Sequence, residues 1–353
     1  MFTSVTYHKI LEANITKFQN TFHDELRTYI NGGIFSHLDL YLSVFVSWAP
    51  FVRHAKDIIQ KYKQLLNEIP TETKPKVYVR VELYDGQNEH VRRMMSFLSE
   101  QLKDDLIGAY VHGSLGTGEE VAYSDFDALV ILKGEVFESP ERLAEAARKL
   151  NGARRIMLDF DPLEHHGWFV LTEADLKFYC NAYFPIELFQ YAKSLIDDKC
   201  LELEISLRES DLETRKAFEK MADAIIRKIE NRQYPANMYQ LKSLLSQFML
   251  LPALYVQAKD GKGIFKRESF DLAKVDFTSG NWAIMDEVSQ IRADWDCEMS
   301  AFKKRMMSHP CVLSRFFTKR FAPVIPAKIA GILTVEFYSR MRKLAILMKE
   351  MLA

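Results

Sequence analysis

Two short apolar runs joined through a glycine-rich bend constrain this chain more than any other feature. Leu106-Ile107-Gly108-Ala109-Tyr110-Val111 leads into Gly113-Ser114, a bend with Gly116 and Gly118 follows, and Ser124-Asp125-Phe126-Asp127 opens Ala128-Leu129-Val130-Ile131-Leu132. Apolar runs of this length, bounded by turn residues, read as buried strands. In an extended segment residues i and i+2 share a face, so Asp125 and Asp127 project together while Phe126 turns to the core. Two carboxylates so placed make a site for a hard cation. Mg²⁺ takes oxygen ligands and keeps several waters, so one or two carboxylates plus substrate phosphates hold it. The Gly-Ser turn supplies the other half, because amides without side-chain bulk and a serine hydroxyl approach phosphate oxygens closely.

This pattern resembles the DNA polymerase beta-like nucleotidyltransferase superfamily, in particular its minimal and aminoglycoside-modifying branches. Their signature is a Gly-Ser, a loop with a further Gly, and Ser-Asp-x-Asp before an apolar strand; Gly113, Ser114, Gly118, Ser124, Asp125 and Asp127 stand at the matching positions. The resemblance implies an α+β fold, a small mixed-sheet nucleotidyltransferase core with a flanking helical N-terminal segment and a helical C-terminal domain. It further implies transfer of a nucleoside monophosphate from a nucleoside triphosphate, ATP being the expected donor, to an acceptor hydroxyl with release of pyrophosphate. Two Mg²⁺ ions would be held by Asp125, Asp127 and a third carboxylate on a neighbouring strand, which would also assist deprotonation of the acceptor. Gly113, Ser114 and Ser124 would meet the nucleotide. Thr117 departs from the pattern, since many relatives carry Arg there, so one phosphate-facing cation is missing or comes from elsewhere.

For the third carboxylate the spacing predicts a helix from Ser139 to Leu150, with Ser as N-cap and Pro140 in the first turn, ending near Gly152. A strand is expected next, Arg154 to Asp161, where Ile156, Leu158 and Phe160 alternate with Asp159 and Asp161. Asp161 is the expected ligand because it opens Asp161-Pro162-Leu163-Glu164-His165-His166-Gly167, a run resembling a motif in some uncharacterised superfamily members; Asp159 is the reserve. Adjacent histidines on a strand point to opposite faces, and no Cys or third His stands at a ligand spacing, so zinc is not expected at His165-His166. Either one of them meets acceptor or phosphate, or both simply begin the next strand, Gly167 to Leu171.

The 353 residues divide, by pattern, into a helical N-terminal segment (1–76), a catalytic domain (77–205) and a helical C-terminal substrate-binding domain (206–353). Helical spacing recurs in Ile10, Leu11, Ile15, Phe18, Phe22 and in Ile58, Ile59, Tyr62, Leu65, Leu66, and again from Gln87 to Leu102. Thr71 to Lys76 reads as a connector, Val77 to Val81 as a strand. In the superfamily that the pattern resembles, a helix at the place of Asn237 to Lys259 faces the nucleotide, which implies that Lys242 and Ser243 meet the triphosphate and Tyr239 the base; otherwise the three belong to a solvated stripe, and Lys266 is a second candidate phosphate contact.

A formal net charge of −1 conceals polarity: residues 303–343 hold ten Lys or Arg and a single acid, Glu336, whereas residues 135–213 are acidic. The basic stretch serves a polyanion such as RNA or DNA, pairs with the acidic region, or is a solvated face; Phe316, Phe317 and Phe321 within it read as core. The most apolar stretch, Leu38 to Val52, is interrupted by polar residues, so no membrane span is expected. Four separated cysteines suit a reducing cytoplasm. The acceptor stays open among a small molecule, a protein side chain, a second nucleotide and a nucleic-acid end, and a nucleotide-binding regulator without turnover is the alternative from a different class.

Overall fold

The structure, a computed structural model, describes residues 4–33, 49–70, 75–196 and 202–353. Most of the Leu38 to Val52 stretch, most of the 71–76 connector and Cys200 lie outside the described residues. The architecture is a small mixed sheet with helices around it and a helical lobe after it. Helices α1 (Ser4–Ile30) and α2 (Ala49–Glu68) bury Phe22, Leu26, Ile30 and Ile58, Tyr62, Leu65 at helical spacing, and these side chains join the sheet's own apolar cluster. Strand β1 (Lys76–Arg80) follows, then α3 (Glu89–Gln101), whose first turn is capped by the Asn88 side chain accepting from the amides of His90 and Val91.

The main sheet has strands β2 (Leu106–Val111), β3 (Ala128–Leu132), β4 (Phe169–Thr172) and the two-residue β5 (Lys193–Ser194), in the order β4-β3-β2-β5. A second pair joins β1 to β6 (Glu202–Ser206), antiparallel. The register decides where chemistry can occur. β3 and β4 are parallel with Leu129 opposite Phe169, and β2 and β3 are antiparallel with Val111 opposite Ala128. The segments entering β3 and β4 and the segment leaving β2 therefore meet at one end of the sheet.

The stretch predicted as a strand from Arg154 to Asp161 is instead the second half of a helix, α5 (Pro140–Phe160). Its buried positions, Leu143, Ala146, Ala147, Leu150, Ala153 and Met157, keep a helical period through Gly152. Glycine inside a helix costs about 1 kcal/mol relative to alanine, less than the burial of that stripe returns; the three-residue alternation of Ile156, Leu158 and Phe160 was too short to outweigh it. Helix α6 (Glu173–Lys177) opens on a capping box between Thr172 and Asp175.

Eight helices complete the chain: α7 (Asp211–Glu230), α8 (Met238–Asp260), α9 (Lys266–Lys274), α10 (Ser279–Ala293), α11 (Ala301–Met307), α12 (Val312–Phe321), α13 (Ala327–Ala330) and α14 (Val335–Leu352). All of them except α12 contribute to an apolar cluster that also takes in Tyr123 and Leu163 from the loops at the sheet end, so the two lobes are packed together there. The expectation that the phenylalanines of α12 are core is overturned: Phe316 is 61% and Phe321 51% exposed, with Phe317 half-buried. Ser314 and Thr318, one turn apart, take the inward face instead. Among the described residues no helix is long and apolar enough to cross a membrane.

Candidate active site

The three segments at the sheet end bring a particular set of groups together. Leaving β2, the chain passes His112 and turns at Gly113, which has φ +64°. A Cβ at Gly113 would lie 2.9 Å from Asp127 Oδ2, so only glycine lets this turn sit against that carboxylate. One helical turn, α4 (Gly113–Thr117), follows. The loop is then clipped shut: Ser114 Oγ and Ser124 Oγ are 2.8 Å apart, and the Val121 amide donates to Ser124 Oγ at 2.9 Å. Ser124 is buried and spends its hydroxyl on the loop. Thr117 bonds back to the carbonyls of Gly113 and Ser114.

Entering β3, Phe126 is buried against Phe160, leaving Asp125 and Asp127 for the cleft. Entering β4, the chain leaves α5 at Asp161, whose Oδ1 accepts from the Leu163 amide at 3.0 Å. Pro162 and Gly167 bracket a tight loop, 161–167, just before the strand expected from Gly167 to Leu171. Glu164 Oε1 accepts from the Gly167 amide at 2.6 Å, and Gly167 has φ +65°. Helix α1 holds this loop from outside. Asn31 bonds both the N–H and the C=O of Trp168, at 2.9 and 3.1 Å, and Arg27 donates to the His166 carbonyl at 3.2 Å. Because the loop is not extended, His165 and His166 do not face opposite ways: their ring centroids are 3.8 Å apart. The premise on which they were set aside is thereby corrected.

Helix α8 supplies the balancing charge from the other lobe. Lys242 is fully buried, with Nζ 2.8 Å from Asp161 Oδ2 and 3.1 Å from Asp125 Oδ1, over the Tyr123 ring at 5.0 Å. The Tyr123 hydroxyl bonds the Lys242 carbonyl and Ser246 Oγ. Burial raises the Asp161 carboxyl well above its ordinary range, with Asp125 beside it adding to the effect and Lys242 opposing it. Burial and the Asp125 charge likewise raise Asp127. Lys266, at the start of α9, faces the same carboxylates, and its burial together with Arg292 brings it down to about 8. Desolvation holds His165 and His166 at about 4 each, so both rings are neutral at physiological pH.

Of the residues expected at the site, Asp125, Asp127, Asp161, Gly113, Lys242 and Lys266 are brought together. Asp159 is not: it lies on the outer side of α5 and pairs with Arg93 at 3.3 Å. Ser243 accepts from Gln247 and lines a groove with Lys228, Tyr234, Tyr239 and Gln240, away from the carboxylates. Unforeseen contributors are Tyr123, Glu164 and the Arg27–Asn31 pair; the Pro162 to Gly167 bracket is the sequence signal that a loop, and not a strand, carries the histidines.

Among the described residues both ring nitrogens of His165 are buried without a hydrogen bond, and Asp125 Oδ1 beside them has only the Lys242 ammonium, at 3.1 Å. Asp125, His165 and His166 each offer a ligand atom, all within 4.8 Å of one another. A buried imidazole with a free acceptor nitrogen beside a carboxylate fits a cation there. The model of the nucleotidyltransferase domain family matches residues 91–234, from α3 to just beyond α7. That match supports the polymerase beta-like superfamily and nucleotidyl transfer as the general activity of this stretch. No curated protein and no solved structure matches the chain significantly. Lys242 and Lys266 lie beyond the matched residues.

Proposed function

We propose that the protein moves a nucleoside monophosphate from a nucleoside triphosphate, ATP for preference, to an acceptor hydroxyl, releasing pyrophosphate. The observation that carries this reading is the seating of Asp127 against the Gly113 turn, with the Asp125 charge beside it, inside a stretch that matches a nucleotidyltransferase domain. Asp125 and Asp127 would hold a divalent ion that arrives with the triphosphate as its Mg²⁺ complex. Such an ion lowers the charge repulsion at the phosphorus under attack. The Gly113 and Ser114 segment would border the β and γ phosphates, and Lys266 would supply the cation missing at Thr117. Asp161, its carboxyl raised by burial, is suited to take the proton of the acceptor hydroxyl. Lys242 is spent on Asp125 and Asp161, so its part is to neutralise the carboxylates and keep them close, not to reach the triphosphate. Orientation and charge compensation would supply most of the rate, as expected for transfer at phosphorus.

The test is pyrophosphate release from each of the four nucleoside triphosphates with Mg²⁺, alone and with fractionated cell extract as acceptor source. Asp127→Asn should lose release by at least about 10²-fold, the scale of removing one preorganised electrostatic contact, while its thermal melt stays that of a folded protein. Substantial residual release by that variant would sink the assignment. Mg²⁺-dependent nucleotide binding with no release in any fraction would replace it with the regulator reading.

A nucleic-acid end is the acceptor that one observation favours. Phe302, Phe316 and Phe321 are exposed among Lys303, Lys304, Arg305, Lys319 and Arg320, and this segment touches the site through Arg315, which donates to the Glu164 carbonyl. Exposed aromatics between cations are what stacking on unpaired bases needs.

A further inference from the structure

We infer that Asp125, His165 and His166 form a binding site for a late first-row divalent metal ion of the Zn²⁺ class, an additional ion that would share Asp125 with the Mg²⁺ accompanying a nucleotide. The ion's role rests on the function proposed above; its binding does not. Ligand atoms from these three residues lie within 4.8 Å of one another. His165 Nδ1 is 3.8 Å from Asp125 Oδ1, and the His165 side chain is 8% exposed. Among the described residues neither His165 nitrogen has a hydrogen-bond partner, and Asp125 Oδ1 is met only by Lys242 Nζ at 3.1 Å. A buried imidazole without partners is costly, and a cation on its acceptor nitrogen, shared with Asp125 and His166, would satisfy that atom.

The donor set chooses the ion. Mg²⁺ calls for near-ideal octahedral oxygen coordination, whereas imidazole nitrogens suit Zn²⁺, Fe²⁺, Ni²⁺ and Cu²⁺, and two histidines with one carboxylate are a recurrent set for such ions. Metal–nitrogen bonds of about 2.0–2.1 Å require the three side chains to draw inward on binding, a small rotation for groups at the end of their own torsions. Their backbone is already fixed. Arg27 holds the His166 carbonyl, Asn31 clamps Trp168, and Glu164 accepts from the Gly167 amide. Outer contacts of this kind orient ligands before the metal arrives. Lys242, against the same Asp125 oxygen, is the cation that the incoming ion would relieve of that contact while it keeps Asp161.

The experiment is equilibrium dialysis of the chelator-treated full chain against Zn²⁺ and against Mg²⁺, with bound metal measured directly, plus titration with Co²⁺ followed by its visible ligand-field bands. Binding of one Zn²⁺ per chain, much tighter than Mg²⁺, with Co²⁺ bands that indicate nitrogen ligands, is expected. In His166→Gln, and separately in His165→Gln, Zn²⁺ affinity should fall by at least about tenfold, the lower end for losing a metal-supporting group. Thermal melts establish that each variant is folded; should neither fold, the Co²⁺ spectrum of the unaltered protein decides alone. Equal affinity for Mg²⁺ and Zn²⁺, Co²⁺ bands of an all-oxygen site, or folded variants that bind Zn²⁺ as before would each overturn the site. Zn²⁺ binding without pyrophosphate release would leave it standing and remove the proposed activity, while Mg²⁺-driven release by a chain that binds no Zn²⁺ would do the reverse.

Discussion

Asp175 has no part in the chemistry, yet it shows what one side chain does for the sheet lobe. It is buried, accepts from the Thr172 amide and hydroxyl at 2.7 and 2.8 Å and from Gln19 at 2.7 Å, and lies 2.7 Å from His23 Nε2. Burial alone would raise its pKa, but His23, Gln19 and Thr172 together hold it below the ordinary carboxylate value. A depressed folded-state pKa gives stability that is present above the unfolded value of about 3.9 and is lost as pH falls through the folded value. Asp175→Asn should therefore lower stability by roughly 2–3 kcal/mol near neutral pH, the scale of hydrogen bonds to a charged group, and flatten the acid side of the melting profile. Melts from pH 7 down to 2 would show it; parallel profiles for variant and wild type would refute the account. At this scale the sequence was uneven evidence. Asp125 and Asp127 were legible because an Asp-x-Asp beside an apolar run fixes two side chains to one face whatever the distant contacts. The histidines were not, since their orientation depends on a loop held by Asn31 and Arg27, more than a hundred residues earlier in the chain.

Among the elements, strands and helices with long periods were readable, and α5 was misjudged only where a glycine coincided with a brief alternation. Helix α12 fails differently. Its phenylalanines are apolar enough to be read inward, and only the packing of Ser314 and Thr318 against the lobe turns them out. Of the basic residues beyond 303, Lys328, Arg340 and Arg342 are paired within the helical lobe, with Asp294, Glu287 and Glu230. Lys319 and Arg320 form no ion pair among the described residues, and Phe316 stands beside them on the same short helix. If this face receives an unpaired nucleic-acid strand, Phe316→Ala should weaken binding of single-stranded RNA by about 1–3 kcal/mol, and Arg320→Glu should reduce the salt dependence of binding. Fluorescence anisotropy at several salt concentrations measures both. Identical binding by the two variants would remove the nucleic-acid acceptor.

For the molecule as a whole, the two lobes meet through a buried ion pair network. Lys242 from α8 faces two aspartates of the sheet end, and Tyr123 from the sheet end is packed within the helical lobe's apolar cluster. Removing one partner of such a network leaves buried charge uncompensated. Lys242→Met should thus cost roughly 3–5 kcal/mol, and divalent cations should raise its melting temperature more than that of the wild type, because an ion bound only by the folded state stabilises it by mass action. Melts with and without Zn²⁺ or Mg²⁺ decide; a variant as stable as wild type in chelator would show that Lys242 does not balance this charge. Lys242 was visible in the sequence as a polar residue on an apolar helix, but its partners were not, as nothing local ties α8 to the sheet end.

The clasp between Lys242 and Asp161 joins positions separated by 81 residues. A ribosome delivers the sheet lobe first, and domains begin to fold as they emerge. For that interval the nascent protein owns its carboxylates but not the lysine that restrains them. Under the proposed function, competence would be an event in time, reached when α8 leaves the exit tunnel and docks, and a polypeptide interrupted before that moment would carry the signature without the centre.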